Sequence, residues 1–251
     1  MGLAHRVIPV LLMRNSALVK GKRFDSSRVV GNIFQAAKIH QARGVDELIV
    51  LDVGATLQSQ GPNYSMIKEL TDQCFMPVTA GGGITHIDQV RTLLASGADK
   101  VVIGTAAYDD PALIGKCASR FGSQAICVAI DALWDGYSWA LVTRCGTRQH
   151  FYSPVAFAHE MEARGAGELI ITGIKNDGMM NGYDLGLIRK IAKEVSIPVI
   201  ANGGCGSYEH MNRALKVGAS AVAAGAFFQW TDSTPKEACE YLASKGWEVR
   251  L

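Results

Sequence analysis

MPVTAGGGITHIDQVRTLLASGADKVVIGTAA (76–107) and IPVIANGGCGSYEHMNRALKVGASAVAAGAFF (197–228) are two copies of one pattern. Each runs from an apolar segment through a glycine cluster and an amphipathic stretch to a second apolar segment ending in glycine. Pro77 and Pro198 are 121 residues apart, and so are Gly44 and Gly165 in ARGVDELIVLD (42–52) and ARGAGELIITG (163–173). The repeat therefore extends over three apolar segments in each half, in frame. Self-similarity at a fixed period is read before local propensity, because it dictates how the chain must close.

Outside the repeat the same alternation continues. The predicted strands are 6–13, 47–53, 76–80, 100–104, 125–132, 168–174, 197–202 and 220–225. Helical patterns lie between them, over 32–43, 64–73, 87–96, 111–120, 154–164, 185–194, 208–217 and 235–245. The apolar runs are too continuous for half-exposed strands, which points to a parallel sheet covered by helices. Eight such pairs in 251 residues fit an α/β fold, a (β/α)8 TIM barrel. An open doubly wound sheet fits less well, because no G-x-G-x-x-G follows the first strand. The reading is one domain, 1–251, with halves of about 1–122 and 123–251. Either half alone would expose two strand edges.

The composition is ordinary for a globular chain: 48% hydrophobic, 19% charged, net charge +2. That balance argues against a nucleic-acid partner. No apolar run is long enough to span a bilayer, and the first residues lack a cleavable signal pattern. The six cysteines are scattered without a C-x-x-C pair and the six histidines show no ligand spacing. These features predict a cytoplasmic protein with reduced thiols, no metal and no cofactor.

The repeat places glycine clusters at equivalent strand ends. Gly81, Gly82 and Gly83 follow the third strand, and Gly203 and Gly204 follow the seventh. The fourth strand ends at Gly104–Thr105 and the eighth at Gly225–Ala226. Glycines here either make tight turns or let backbone N–H groups approach a phosphate. Two copies in register imply a ligand with a phosphate at each end. Asn202 adjoins Gly203. Lys20, Lys22 and Arg23 either clamp a phosphate or form a solvated loop. Asp177 and Gly178 are either ligand contacts or Asp-Gly turn chemistry. Asp52 ends the second strand and is a candidate ligand contact.

These motifs resemble the half-barrel family of histidine biosynthesis, and within it the cyclase branch of imidazole glycerol phosphate synthase. RVIPVLL, DELIVLD, GGGI, FGSQAICVAIDA, RGAGELIITGIKNDG and IPVIANGG fall in family order over almost the whole chain. The resemblance implies a glutaminase docked on the N-terminal face, touching Asp99, and ammonia passing a ring of Arg6, Glu47, Lys100 and Glu168. The four charges open their strands, so they either neutralise one another as a polar gate or are ordinary solvated charges on a barrel floor. At the other face the family uses two aspartates on a bisphosphate ribonucleotide derivative. The fifth-strand aspartate is Asp131, but the first-strand position is Leu12 in VLLMRNSALVKG (10–21). Leucine cannot exchange a proton. This points to a paralogue that supplies ammonia, with a third amidotransferase enzyme, for sugar amidination in surface polysaccharide. The alternative is a genuine cyclase using Asp131. Trp134, Tyr137 and Trp139 surround a hairpin predicted after Asp131.

Overall fold

The computed structural model describes residues 4–250. Eight parallel strands form its centre: β1 (Arg6–Arg14), β2 (Leu48–Asp52), β3 (Val78–Gly81), β4 (Lys100–Ile103), β5 (Ile126–Trp134), β6 (Glu168–Gly173), β7 (Val199–Asn202) and β8 (Ala221–Ala224). Each pairs in parallel with the next, and β8 pairs back onto β1 with Arg6 opposite Ala221 and Val7 opposite Val222. The sheet is a closed (β/α)8 barrel.

The covering helices are α1 (Ile33–Ala42), α2 (Tyr64–Gln73), α3 (Ile87–Ala95), α4 (Ala112–Phe121), α5 (Pro154–Ala163), α6 (Leu185–Glu194), α7 (Tyr208–Lys216) and α8 (Pro235–Ser244). Their starts are set by side chains that accept otherwise unpaired N–H groups. Asp184 caps α6 through the Leu187 N–H, and Ser207 caps α7 through that of His210. Thr234 and Glu237 form a reciprocal capping box on α8, with Pro235 at its first turn.

Closure divides the apolar residues into two cores. The larger fills the shell between strands and helices. The smaller fills the lumen with Ile8, Ile49, Val102, Cys127, Ile170 and Ile200, beside Ala221 and Ala223. The lumen is thus packed, as barrel interiors are.

The hairpin predicted after Asp131 is present, as Trp139–Thr143 antiparallel to β5 and then to Arg148–His150. The segment after β1, read from sequence as a loop, is a second hairpin, Ala17–Lys22 with Asp25–Asn32. Among the described residues no helix is long and apolar enough to cross a membrane.

Ile49 is 1% exposed in the lumen layer. Ile49→Ala is expected to lower unfolding free energy by roughly 2–5 kcal/mol in a denaturant titration. A loss below about 1 kcal/mol would mean that the layer is not close-packed.

Candidate functional site

A cavity of about 360 Å³ opens at the C-terminal ends of the strands, lined by Leu12, Asp52, Asp131, Thr172, Asp177 and Asn202, and by glycines of the first cradle. Leu12 and Asp131 therefore share one cavity. Side chains alternate along a strand, so Glu168, Ile170 and Thr172 of β6 all face the lumen. Thr172 lies opposite Asp131 in the ladder. The Thr172 hydroxyl also accepts from Asn202 Nδ2 at 3.0 Å.

Burial raises the Asp131 carboxyl to about 7; a hydrogen bond from Thr172 opposes the shift, and the nearby Asp177 charge adds to it. The folded chain thus holds a proton that the unfolded chain releases at lower pH. Asp131 contributes stability below the ordinary carboxylate range, and that contribution is lost as pH rises through about 7.

The second cradle is a smaller cavity of about 40 Å³ beside the first, lined by Lys20, Asp177, Gly178, Asn202, Gly203, Gly204, Gly225 and Ala226. Lys20 is buried and donates through Nζ to the Val10 carbonyl at 3.1 Å. Burial pulls its amine down to about 8, with Asp177 acting the other way. A Cβ on Gly225 would meet the Lys20 ammonium, so a side chain here would displace Lys20 from its place in the cradle. Lys22 and Arg23 are exposed and stand outside this wall. The loop they belong to is tied down by the Arg23 N–H donating to the Asp177 carbonyl at 2.8 Å.

The first cradle is built from Gly82, Gly83, Gly104 and Thr105. Gly82 has φ +115, and a Cβ there would strike the Asp52 backbone. Asp52 lines the cavity, but its Oδ1 accepts from the Gly54 and Ala55 N–H groups at 2.9 and 3.1 Å. Its carboxylate closes its own loop. The Thr105 hydroxyl accepts from the Arg144 N–H at 2.9 Å. Arg144 and Cys145, both at φ 53, sit in the turn between Trp139–Thr143 and Arg148–His150 and line the cavity.

Thr172, Arg144 and Cys145 are missing from the sequence-based set. Counting in twos from Glu168 would have found Thr172. The turn residues carry no sequence signal, because this left-handed turn does not begin on glycine. Trp139 donates through Nε1 to Asp184 at 2.7 Å and packs on Trp134, which makes that pair a structural contact.

At the opposite mouth Arg6, Glu47, Lys100 and Glu168 form an alternating ring. Arg6 pairs with Glu47 at 2.6 Å and with Glu168; Lys100 pairs with Glu47 at 3.2 Å and Glu168 at 3.0 Å. Both glutamates are buried, and the Thr79 hydroxyl donates to Glu47 at 2.7 Å. The ring is a desolvated network, not a set of solvated surface charges. Burial alone would raise the Glu47 carboxyl; Lys100, Arg6 and Thr79 outweigh it and hold it below the ordinary value. Asp99 is exposed on this face, and its Oδ2 accepts from the Val78 N–H at 2.8 Å, fixing the start of β3. No group of three or more His, Cys, Asp or Glu side chains suited to a metal occurs among the described residues.

Glu47→Gln keeps the shape but leaves Arg6 and Lys100 sharing one carboxylate. At pH 7 it is expected to cost roughly 2–4 kcal/mol of unfolding free energy. Because the Glu47 pKa is depressed, the difference from wild type should shrink as pH falls through it, so titrations at pH 7 and at about pH 3 check both sign and size. An equal difference at both pH values would contradict the ring.

Two comparisons bear on this arrangement. Residues 6–233 match the family model described as histidine biosynthesis protein. Over 249 residues, 99% of each chain, the sequence is 38% identical to the imidazole glycerol phosphate synthase subunit HisF of Thermococcus onnurineus (strain NA1). That likeness gives no support to the polysaccharide branch suggested by the first strand. With the closed barrel and its glycine cradles, it shows that the chain belongs to the histidine biosynthesis protein family.

Proposed function

We propose that this chain is the ammonia-accepting, ring-closing subunit of an imidazole glycerol phosphate synthase, with Asp131 as its acid–base group. The observation that carries the reading is the position of Asp131: a desolvated carboxyl between two glycine cradles, at one end of a lumen whose other end is a ring of four charges. A glutaminase docks over that ring, near Asp99, and releases ammonia into it. The paired charges exclude ions, because entry of a bare ion would break pairs already made in a desolvated site. Neutral ammonia needs no counter-charge. It passes the apolar layer by small side-chain displacements, with Ala221 and Ala223 the least obstructive wall.

A bisphosphate ribonucleotide derivative spans the cradles, one phosphoryl group against Lys20 and Gly225, the other against Gly82 and Gly104. Asp131 then sits beside the reacting centre. A group titrating near neutrality is present in both forms, so it can take a proton in one step and return it in the next. With Leu12 at the first strand, one carboxyl does what the family divides between two.

Leu12 itself favours a second reading. Here the barrel delivers ammonia to a third enzyme that amidates a sugar for surface polysaccharide, and its own ring closure is lost. One assay separates the two: ammonia-dependent formation of imidazole glycerol phosphate by the wild type, Asp131→Asn and Leu12→Asp. The first reading predicts an active wild type and a loss of about 10²- to 10⁴-fold in Asp131→Asn. The second predicts an inactive wild type and activity gained in Leu12→Asp. An active wild type indifferent to Asp131→Asn would refute the assigned role.

A further inference from the structure

The two cradles are related by the repeat but are not alike in charge. Gly104 and Gly225 are mates in the 121-residue repeat. At Gly225 the space a side chain would take is filled by the Lys20 ammonium; at Gly104 it is open, the nearest atom being Ala129 Cβ at 3.8 Å. On the second hairpin the position matching Lys20 is Thr143, because Val19 pairs with Leu12 and Val142 pairs with its strand-end counterpart Asp131; Thr143 is buried and carries no charge. The first cradle therefore has no buried ammonium. Asp52 and Asp109 line its cavity as well, beside the Asp131 and Asp177 already described. An anion seated there needs a cation.

Immediately after Thr143 the same hairpin turns at Arg144. Its N–H is fixed to Thr105 Oγ1 on the cradle's rim, and the next residue, Cys145, is pinned by Sγ to the Val53 carbonyl at 3.4 Å. The main chain is thus anchored at two points of the cavity wall while the Arg144 side chain is exposed. We propose that Arg144 supplies the cation of the first cradle, laying its guanidinium across a phosphoryl group held by Gly82, Gly83 and Gly104. This rests on reading the cradles as anion sites. A guanidinium offers two parallel N–H donors to a phosphoryl face, which a lysine cannot match. The two ends are then read differently: a buried, preplaced ammonium at one, an exposed guanidinium that closes after binding at the other. That difference fixes which way round an unsymmetrical bisphosphate lies.

Calorimetric titration of the full chain with inorganic phosphate at fixed ionic strength tests this. The wild type should take up two phosphates. Arg144→Gln should weaken one of them about tenfold or more and spare the other, and Arg144→Lys should recover only part of the loss. Arg144 is exposed, so thermal unfolding of both variants should match wild type. Two phosphates bound with unchanged affinity by Arg144→Gln would overturn the role of Arg144 and leave the cradles standing. A wild type that binds no phosphate would overturn the cradle reading itself, and this inference with it.

Discussion

Closing eight parallel strands into a cylinder fixes which side chains meet. Once β8 pairs with β1, every second residue of each strand must point into one lumen. On β1 that count runs Arg6, Ile8, Val10, Leu12: a charge at one mouth, two apolar layers, and a leucine in the cavity at the other. The count on β6 runs Glu168, Ile170, Thr172. The charge ring, the dry core and the carboxyl site are therefore three levels of one alternation. A slip of one residue in any strand would turn its inward set outward and break all three.

The electrostatics follow from that layering. The charged groups next to the apolar layer are largely buried, so they must be paired or neutralised. At the N-terminal mouth they are paired, and Glu47 stays ionised below its ordinary range. At the C-terminal mouth Asp131 lacks a cation and faces Asp177 nearby, so it holds its proton to about 7. Lys20 takes the remaining negative neighbour, Asp177, and keeps its charge at a reduced pKa. Similar burial thus gives a permanent ion network at one end and a titrating group at the other.

Much of this was legible in the sequence because it is periodic. The repeat gave the strand order, the apolar runs gave all eight barrel strands, and the helix limits fall within a residue of the amphipathic stretches. The ring came from the family resemblance, to which the repeat adds that Glu47 and Glu168 are mates. What escaped was set by turns without a signal. Arg23–Phe24 and Arg144–Cys145 both adopt left-handed conformations on non-glycine residues, held by the neighbouring structure. The first hairpin therefore looks like a loop in the sequence, and nothing there marks Arg144. The burial of Lys20 was hidden for the same reason, since in VKGKR it looks like one basic residue among three. Asp52 was visible as a strand-end carboxylate, but its engagement with its own loop depends on Gly54 and Ala55.

The central claim is that a single desolvated carboxyl, Asp131, stands at the mouth of the lumen and titrates near neutrality without a first-strand partner. Carboxyl 13C NMR across pH 3 to 9, with Asp131→Asn used to assign the resonance, measures it directly. The account predicts a midpoint of about 7 for Asp131. A midpoint near 4, the range of an unburied aspartate, would contradict it.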